Sequence, residues 1–246
     1  LVGLGSYSTY QLAPSLLDTQ HCYLAGIVTG TKAKEAVWKE KYNLPVASIY
    51  NYQNFDSISD NPDIDIVYVV LPNSMHADFC IRAAKAGKHV ICEKPLASNA
   101  TQVKQLFQAA IDNNVILFEA YMTAHLPNFK QIQDNIHHIG PLRKANIHYC
   151  QYSSRYPSYL AGENPNTFNP QFSNGSIMDI GYYCIAFSVA LFGKPVSIQA
   201  QAHLLDSGVD GCGTAILNYG EFSVTIDHSK ISESQLCNEI QGENGS

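Results

Sequence analysis

Two groups of residues in this chain of 246 residues have the types and the spacing that a proton-transfer site would need. In the first, Cys92-Glu93-Lys94-Pro95, Lys94 stands at the carboxyl end of a predicted strand. A lysine in a partly dry cleft can act as an acid or polarise a neighbouring group. The second is Asp179 and Tyr183, which are four residues apart and therefore share one face of a predicted helix. An ordinary loop lysine and a buried aromatic helix with one capping aspartate are the alternatives.

A glycine turn near the start of the chain has the spacing of a phosphate-binding loop. Gly3-Leu4-Gly5-Ser6-Tyr7-Ser8 follows strand-like residues and opens a helix-like stretch. In a G-x-G-x-x-G loop the first glycine makes the tight turn. The second lets the backbone approach a pyrophosphate at the helix N-terminus. Ser8 replaces the third glycine, a departure that a small side chain can tolerate. A plain glycine turn is the alternative.

The residues after the second predicted strand bear on the choice between NAD and NADP. An Asp or Glu there would bind a ribose 2′-hydroxyl, but the sequence is Thr29-Gly30-Thr31-Lys32, with Lys34 nearby. No carboxylate is available to repel a 2′-phosphate, and two lysines could attract one. The segment therefore favours NADP over NAD. A polar loop with solvated lysines is the alternative.

The elements that must position these residues change character along the chain. Up to about Tyr121, apolar strand-like runs alternate with helical patterns, which predicts a doubly wound parallel sheet. Longer alternating runs follow, typical of antiparallel strands with one polar face, and Ser176 to Phe192 is predicted to be one helix. We predict a Rossmann domain over residues 1–121 and an α+β domain over residues 122–246, with a large open-faced, mainly antiparallel sheet. Both ends of the chain are expected to be incomplete.

Composition argues against several classes of function. The net charge is −6 and the pI is near 5.8, with no basic stripe of the kind that binds nucleic acid. No apolar run approaches the roughly 18 residues that a membrane helix needs. The seven cysteines are odd in number and contain no C-x-x-C pair. This pattern predicts reduced thiols in a cytoplasmic protein and no metal site.

The chain resembles the glucose–fructose oxidoreductase / inositol dehydrogenase family over essentially its whole length. The resemblance is carried by Leu71-Pro72-Asn73-Ser74-Met75-His76, Ala86-Gly87-Lys88-His89-Val90, Glu93-Lys94-Pro95 and the segment from Gly175 to Tyr183. Residues 49–52 and 54–55 are most similar to the branch that contains glucose–fructose oxidoreductase and the dimeric dihydrodiol dehydrogenases. The resemblance implies that the open-faced sheet forms the interface of a homodimer or homotetramer.

The resemblance also implies roles for individual residues. Lys94 is expected to be catalytic, Tyr183 to be the acid/base, and Asp179 to orient the substrate or the proton relay. Glu93 is expected beside the nicotinamide. The residues expected to hold the cofactor are Gly3, Gly5, Ser6, Tyr7, Ser8, Thr29, Gly30, Thr31, Lys32, Leu71, Pro72, Asn73, His76, Glu93 and Lys94. His125, Tyr152 and Arg155 are candidate substrate contacts, with a surface position as the alternative.

The reaction that these roles imply is hydride transfer between a nicotinamide cofactor and a sugar, polyol or related secondary alcohol or carbonyl. Lowering the pKa of a tyrosine from about 10 to about 7 takes roughly 4 kcal/mol. One cation at about 4 Å supplies roughly that much at an effective dielectric constant near 20. We therefore expect Lys94 to support Tyr183. A tyrosine at position 183 points away from the inositol type, which carries histidine. A non-catalytic dinucleotide sensor and an NAD-dependent glycosidase are the alternative functions.

Overall fold

The computed structural model describes residues 1–246 and divides them into two compact units, Leu1–Ala120 and Tyr121–Ser246. The predicted domain boundary lies one residue further along the chain. The strands of the first unit are β1 (Ile27–Val28), β2 (Ile49–Tyr50), β3 (Ile66–Val69), β4 (His89–Glu93) and β5 (Leu117–Ala120). Its helices are α1 (Ala13–Asp18), α2 (Lys32–Tyr42), α3 (Asn73–Lys85) and α4 (Ala100–Asp112), and a π-helical turn, Ser8–Leu12, leads directly into α1.

The first unit contains a parallel sheet in which Val2 is the central link. Strand β1 pairs with β2, and β3-β4-β5 form a second run of neighbours. Val2 bridges β1 on one side, at Val28, and β3 on the other, at Val69. The order is therefore β2-β1-Val2-β3-β4-β5, with the direction of winding reversed at Val2. This is the doubly wound arrangement that the alternation of elements predicts.

The core of the first unit forms where apolar strands meet the inner faces of helices. Val67, Val69, Val90 and Cys92 are buried on β3 and β4. Helix α3 contributes an apolar face that includes Phe79, Ala83 and Ala84. Strand β1 is shorter than the predicted run from Tyr23 to Val28, because Tyr23 is exposed and only Ile27 and Val28 are paired with a neighbouring strand.

The second unit is built on a five-stranded sheet. Its strands are β6 (Leu142–Cys150), β7 (Ser197–Leu204), β8 (Asp210–Asn218), β9 (Ser223–Ser229) and β10 (Glu239–Gly242). Its helices are α5 (Pro127–Asn135), α6 (Tyr156–Leu160) and α7 (Tyr182–Phe192). The strand order is β10-β6-β9-β8-β7, and every pair is antiparallel except β6 with β9. The prediction of a mainly antiparallel sheet is confirmed.

Helix α7 covers one face of this sheet. Ala215, Leu217, Val224 and Ile226 are buried in the same apolar cluster as Cys184 of the helix. Because side chains alternate along a strand, Thr214, Thr225 and Asp227 lie on the opposite face. Across β6, β8 and β9 one face of the sheet is therefore apolar and packed, and the other is largely polar, whereas β7 is exposed throughout.

The helical stretch Pro170–Phe192 contains 23 residues and has a mean hydropathy of 1.5 over its most apolar window, so by length and composition alone it could cross a membrane. The core helix of a soluble protein meets the same criterion. Ser173 has φ 53°, which interrupts the helix, and the stretch from Ser176 onward packs against the β6–β9 sheet.

Candidate active site

The carboxyl ends of the parallel strands bring the predicted cofactor residues of the first unit to one edge of its sheet. Gly3 follows Val2 at the point where the winding reverses, which is where open α/β sheets bind ligands. Gly3 has φ +93°, and a Cβ there would lie 2.3 Å from the Val70 carbonyl oxygen. A Cβ on Gly5 would meet nothing within 4 Å. The turn thus needs glycine at position 3 for its own packing, whereas the backbone at Gly5 is open to a ligand.

Ser8 replaces the third glycine and stabilises the turn from inside. Its side chain is fully buried, and its hydroxyl donates a hydrogen bond to the Gly3 carbonyl at 2.7 Å. The helical segment begins at Ser6, and both Ser6 and Tyr7 are exposed. The open backbone at Gly5 followed by a helix start fits the pyrophosphate of a dinucleotide.

The loop after β1 separates the two lysines that were expected near a 2′-phosphate. Lys34 Nζ donates a hydrogen bond to the Leu4 carbonyl at 2.7 Å, so it contacts the glycine turn, and its expected role near a 2′-phosphate stays a prediction. Lys32 is exposed. Thr29 is buried, and its hydroxyl accepts a hydrogen bond from the Thr31 amide at 3.3 Å. A Cβ on Gly30 would lie 3.1 Å from the Tyr52 ring.

His76 is the most buried of the expected cofactor residues in the Leu71–His76 segment. It is 1% exposed, and its ring nitrogens each lie 2.8 Å from a carbonyl oxygen, Nδ1 from that of Pro95 and Nε2 from that of Leu71. Each ring nitrogen thus faces a backbone carbonyl of a different loop, and the cofactor role expected for His76 stays a prediction. Pro72 is the N-cap of α3, and Asn73 is its first residue.

Side-chain hydrogen bonds hold the loop of Lys94 before and after the lysine. Glu93 accepts a hydrogen bond from the Tyr68 hydroxyl at 2.7 Å, and burial together with this carboxylate raises the pKa of Tyr68. After Lys94, the Leu96 amide donates to the Glu119 carboxylate at 2.7 Å. The Lys94–Pro95 peptide bond is cis. Lys94 is half-buried at the carboxyl end of β4, which is the strand end predicted for it.

In the second unit, Asp179 lies in a π-helical turn, Ile177–Gly181, that runs directly into α7. The continuous helix from Ser176 to Phe192 confirms the predicted element, but its first turn is π-helical instead of α-helical. Such turns are frequent at functional sites. The Lys230 ammonium group donates a hydrogen bond to the Asp179 carboxylate, and the side chains are 10% and 32% exposed, respectively. Asp179 therefore has a largely buried cation as its partner.

A buried polar cluster supports this turn from the sheet. His228 is 4% exposed, and its Nδ1 lies 2.8 Å from the Ser176 hydroxyl and 3.7 Å from the Asp210 carboxylate. Asp210 accepts a hydrogen bond from the Ile177 amide at 2.6 Å. Burial lowers the pKa of His228, and the neighbouring carboxylates of Asp210 and Asp227 oppose this effect.

Gly181 of the motif and Gly213 of β8 both face this cluster. A Cβ on Gly181 would lie 2.9 Å from Cγ of His228, and one on Gly213 would lie 2.9 Å from its Nε2. Glycine inside a helix is unfavourable by about 1 kcal/mol relative to alanine, which predicts a close neighbour. The neighbour is the His228 ring.

Tyr183 belongs to an aromatic cluster within the second unit. Its ring centroid lies 5.6 Å from that of Tyr149, 6.4 Å from Tyr121 and 5.9 Å from Tyr182. Tyr121 is buried, and burial raises its pKa. Tyr149 belongs to β6 and is partly exposed, so it is a further candidate contact surface beside Tyr183.

The three candidate substrate residues are all exposed. His125 ends the short helical turn Met122–His125. The Tyr152 ring packs edge-on against Tyr156, with centroids 5.6 Å apart, and the Arg155 amide donates to the Ser153 hydroxyl just before α6. Their roles toward a substrate remain predictions. Among residues 1–246, no group of three or more His, Cys, Asp or Glu side chains is placed to hold a metal ion.

Sequence reasoning missed Lys230, His228, Asp210, Ser176 and Tyr149. Ser176 stands in the Gly175–Tyr183 segment but was given no role, and the other four belong to no recognisable motif. The only local signal is that His228 and Lys230 come at the end of a buried strand. Polar residues in that position are unusual unless they have partners.

Comparisons with known proteins agree with this arrangement. A family model described as an oxidoreductase family with an NAD-binding Rossmann fold matches residues 1–121, and one described as the GFO/IDH/MocA C-terminal domain matches residues 130–246. The uncharacterized oxidoreductase YgjR of Escherichia coli (strain K12) is 53% identical over 195 residues, 79% of this chain and 60% of that protein.

Two further proteins cover nearly the whole chain. The scyllo-inositol 2-dehydrogenase (NADP(+)) IolU of Bacillus subtilis (strain 168) is 39% identical over 98% of this chain and 72% of its own length. The crystal structure of aldose-aldose oxidoreductase from Caulobacter crescentus, complexed with glycerol, matches with a TM-score of 0.90 at 28% identity, over 98% of this chain and 73% of that one. The matched part of this chain spans about 60% of the length of YgjR. The resemblance drawn from the motifs is confirmed, and the chain belongs to the GFO/IDH/MocA family of oxidoreductases.

Proposed function

We propose that the protein is an NADP-dependent oxidoreductase that interconverts a secondary alcohol of a sugar or polyol and the corresponding carbonyl. The observation that carries this proposal is the charge-paired Asp179 in a π-helical turn that leads directly to Tyr183. A protein that only sensed a dinucleotide would not need a partly buried ion pair and a tyrosine in this arrangement. The names of IolU and of the Caulobacter crescentus enzyme support substrates of this class.

In this proposal the nicotinamide supplies or accepts the hydride, and side chains of the chain handle the proton. Tyr183 exchanges the proton of the substrate hydroxyl, and Lys94 provides positive charge during that exchange. Asp179, oriented by Lys230, holds the substrate or the proton relay. Gly3, Gly5, Ser6 and Tyr7 hold the pyrophosphate.

The preference for NADP rests on Thr29, Gly30, Thr31 and Lys32. No carboxylate follows β1 to repel a 2′-phosphate, and Lys32 is exposed there. IolU is named as an NADP(+) enzyme, which supports the same choice. IolU is also named for an inositol, so the proposed substrate class includes inositols, whereas the tyrosine at position 183 favours other polyols and sugars.

Cofactor binding and turnover test the proposal separately. Thermal shift with NAD, NADH, NADP and NADPH should show the largest stabilisation with NADPH, since a ligand that binds only the folded state stabilises it. A panel of aldoses and polyols should then give net change in NADPH absorbance. Tyr183→Phe and Lys94→Ala should each lower kcat by about 100-fold or more, whereas Tyr23→Phe and Lys104→Ala, at exposed positions, should not. No shift with any dinucleotide, or near-wild-type rates for both site variants, contradicts the proposal.

We also propose that the protein forms a homodimer or homotetramer through the open face of the β6–β10 sheet, in the cytoplasm. The polar row that includes Thr214, Thr225 and Asp227 lies opposite the helix-covered face and is accessible to a second copy. Thr225→Arg should reduce the mass measured by light scattering, and Thr101→Arg, on exposed α4, should not. Equal masses for both variants contradict this interface.

A further inference from the structure

His76 connects two loops that carry different parts of the proposed reaction. Carbonyl oxygens only accept hydrogen bonds, so each of the two 2.8 Å contacts of the ring is a hydrogen bond only if that ring nitrogen carries a proton. Burial lowers the pKa of His76, and the nearby Lys94 charge acts in the same direction, whereas the two carbonyls and the Glu93 carboxylate oppose the shift. Both contacts are therefore hydrogen bonds at once only while the ring is charged, and a neutral ring keeps one of them. The ring is 1% exposed, so water cannot replace either carbonyl.

The contact at Nε2 holds the edge of the cofactor site. Its acceptor is the carbonyl of Leu71, which follows β3 and lies beside the glycine turn. A Cβ on Gly3 would lie 2.9 Å from the Leu71 side chain and 2.3 Å from the Val70 carbonyl. A displacement of Leu71 would therefore also displace the glycine turn, where the dinucleotide is expected.

The contact at Nδ1 holds the loop of the proposed catalytic lysine. Its acceptor is the carbonyl of Pro95, the residue directly after Lys94. The same loop is restrained once more, by the hydrogen bond from the Leu96 amide to Glu119. Loss of the His76 contact would thus loosen the Lys94 loop without releasing it altogether.

We propose that His76 is a positioning residue with two separable tasks. The Nε2 contact sets the cofactor loop at Leu71, and the Nδ1 contact sets the loop of Lys94. The histidine acts through these backbones and touches neither cofactor nor substrate. This inference rests on the proposed function, because the two loops matter only if a dinucleotide and Lys94 take part in a reaction.

Two substitutions separate the tasks. The amide nitrogen of asparagine lies about where Nδ1 lies, and that of glutamine about where Nε2 lies. His76→Asn therefore keeps the Pro95 contact and loses the Leu71 contact, and His76→Gln does the reverse. A single hydrogen bond corresponds to about a 2- to 10-fold effect. The Kd for NADPH, measured by quenching of Trp38 fluorescence, should rise more in His76→Asn. The kcat should fall more in His76→Gln.

The decisive result is that each variant mainly impairs a different quantity, the Kd for NADPH in His76→Asn and the kcat in His76→Gln. Parallel changes in Kd and kcat, or no change in either variant, overturn the inference. If a variant does not fold, ring nitrogen NMR of His76 in the wild-type protein decides. Two protonated, hydrogen-bonded nitrogens support the inference. An unprotonated nitrogen cannot donate to the carbonyl that it faces, and this result overturns the task assigned to that contact. A wild-type protein that fails to bind NADPH overturns the proposed function instead, and the NMR result stands apart from that outcome.

Discussion

Lys230 donates a hydrogen bond to Asp179, joining the residue after β9 to the π-helical turn before α7. The backbone of Lys230 is itself fixed: its amide donates to the Gly211 carbonyl at 2.9 Å, and its carbonyl accepts from the Ser153 amide at 2.8 Å. The lysine thus offers a rigidly placed cation to the carboxylate. Neither residue can be removed without leaving a largely dehydrated charge behind.

Lys230→Met should lower the free energy of unfolding by about 1.5–3 kcal/mol, the usual contribution of a hydrogen bond to a charged group. A fully buried pair would lose about 3–5 kcal/mol, but the Asp179 side chain is 32% exposed and is partly screened by water. Urea unfolding measures the change. Lys104→Met, the same substitution on the exposed side of α4, is the control. Equal stabilities of the two variants would show that the ion pair contributes nothing.

Alanine at the two glycines of the first turn should have opposite effects. Gly3→Ala should lower the free energy of unfolding by at least about 2 kcal/mol, because its φ is positive and its Cβ would clash with the Val70 carbonyl. Gly5→Ala meets no protein atom and should change stability by less than about 0.5 kcal/mol. The Kd of Gly5→Ala for NADPH should nevertheless rise about tenfold, equivalent to 1.4 kcal/mol. Unchanged affinity would mean that no ligand approaches Gly5.

Lys32 and Lys34 should separate cofactor choice from stability. Lys32→Ala should raise the Kd for NADP about 2- to 5-fold, as expected for one exposed charge pair, and leave the Kd for NAD unchanged. Lys34→Ala removes the hydrogen bond to Leu4 and should instead lower the free energy of unfolding by about 1 kcal/mol. Isothermal titration with both cofactors, beside urea unfolding, checks the pair. If Lys34→Ala weakened the binding of NADP but not of NAD, Lys34 and not Lys32 would be the residue that selects the cofactor.

The stability of the protein should fall as the pH is lowered through the range in which histidine titrates. Burial lowers the pKa of His228 from its usual 6.5. The unfolded chain therefore takes up a proton first, and the contribution of neutral His228, fully present above pH 6.5, is lost as the pH falls from there toward the lowered value. Thermal unfolding between about pH 5.5 and 7.5 should show a shallower dependence for His228→Asn than for wild type. His137→Asn, at an exposed position, should follow the wild-type curve.

The sequence predicts most of the fold because hydrophobic periodicity reports directly on burial. The β3 strand, the helix from Ser176 to Phe192 and the alternating strands after Tyr121 all follow from it. The π-helical turn at Asp179 does not, since its residues have ordinary helical periodicity and its partners Asp210 and His228 come from distant strands.

The candidate site is only half visible in the sequence. Gly3, Lys94 and Tyr183 stand in motifs, whereas Lys230 reaches Asp179 across 51 positions. The contact of Lys34 could not be predicted either, because spacing along the chain gives no direction to a side chain. Its ammonium group turns back to the nearer carbonyl of Leu4. Ser8 was expected only to be tolerated in place of glycine, yet its buried hydroxyl donates a hydrogen bond within the turn.

The His228 ring fills the space between two glycines, Gly181 on the helix and Gly213 on β8. The thickness of one imidazole therefore sets the spacing between these two layers. Positions 181, 213 and 228 should vary together among related sequences: where a smaller residue replaces the histidine, alanine becomes acceptable at either glycine. The same dependence predicts second-site suppression. A variant inactivated by Gly181→Ala should regain function most readily through a substitution at position 228.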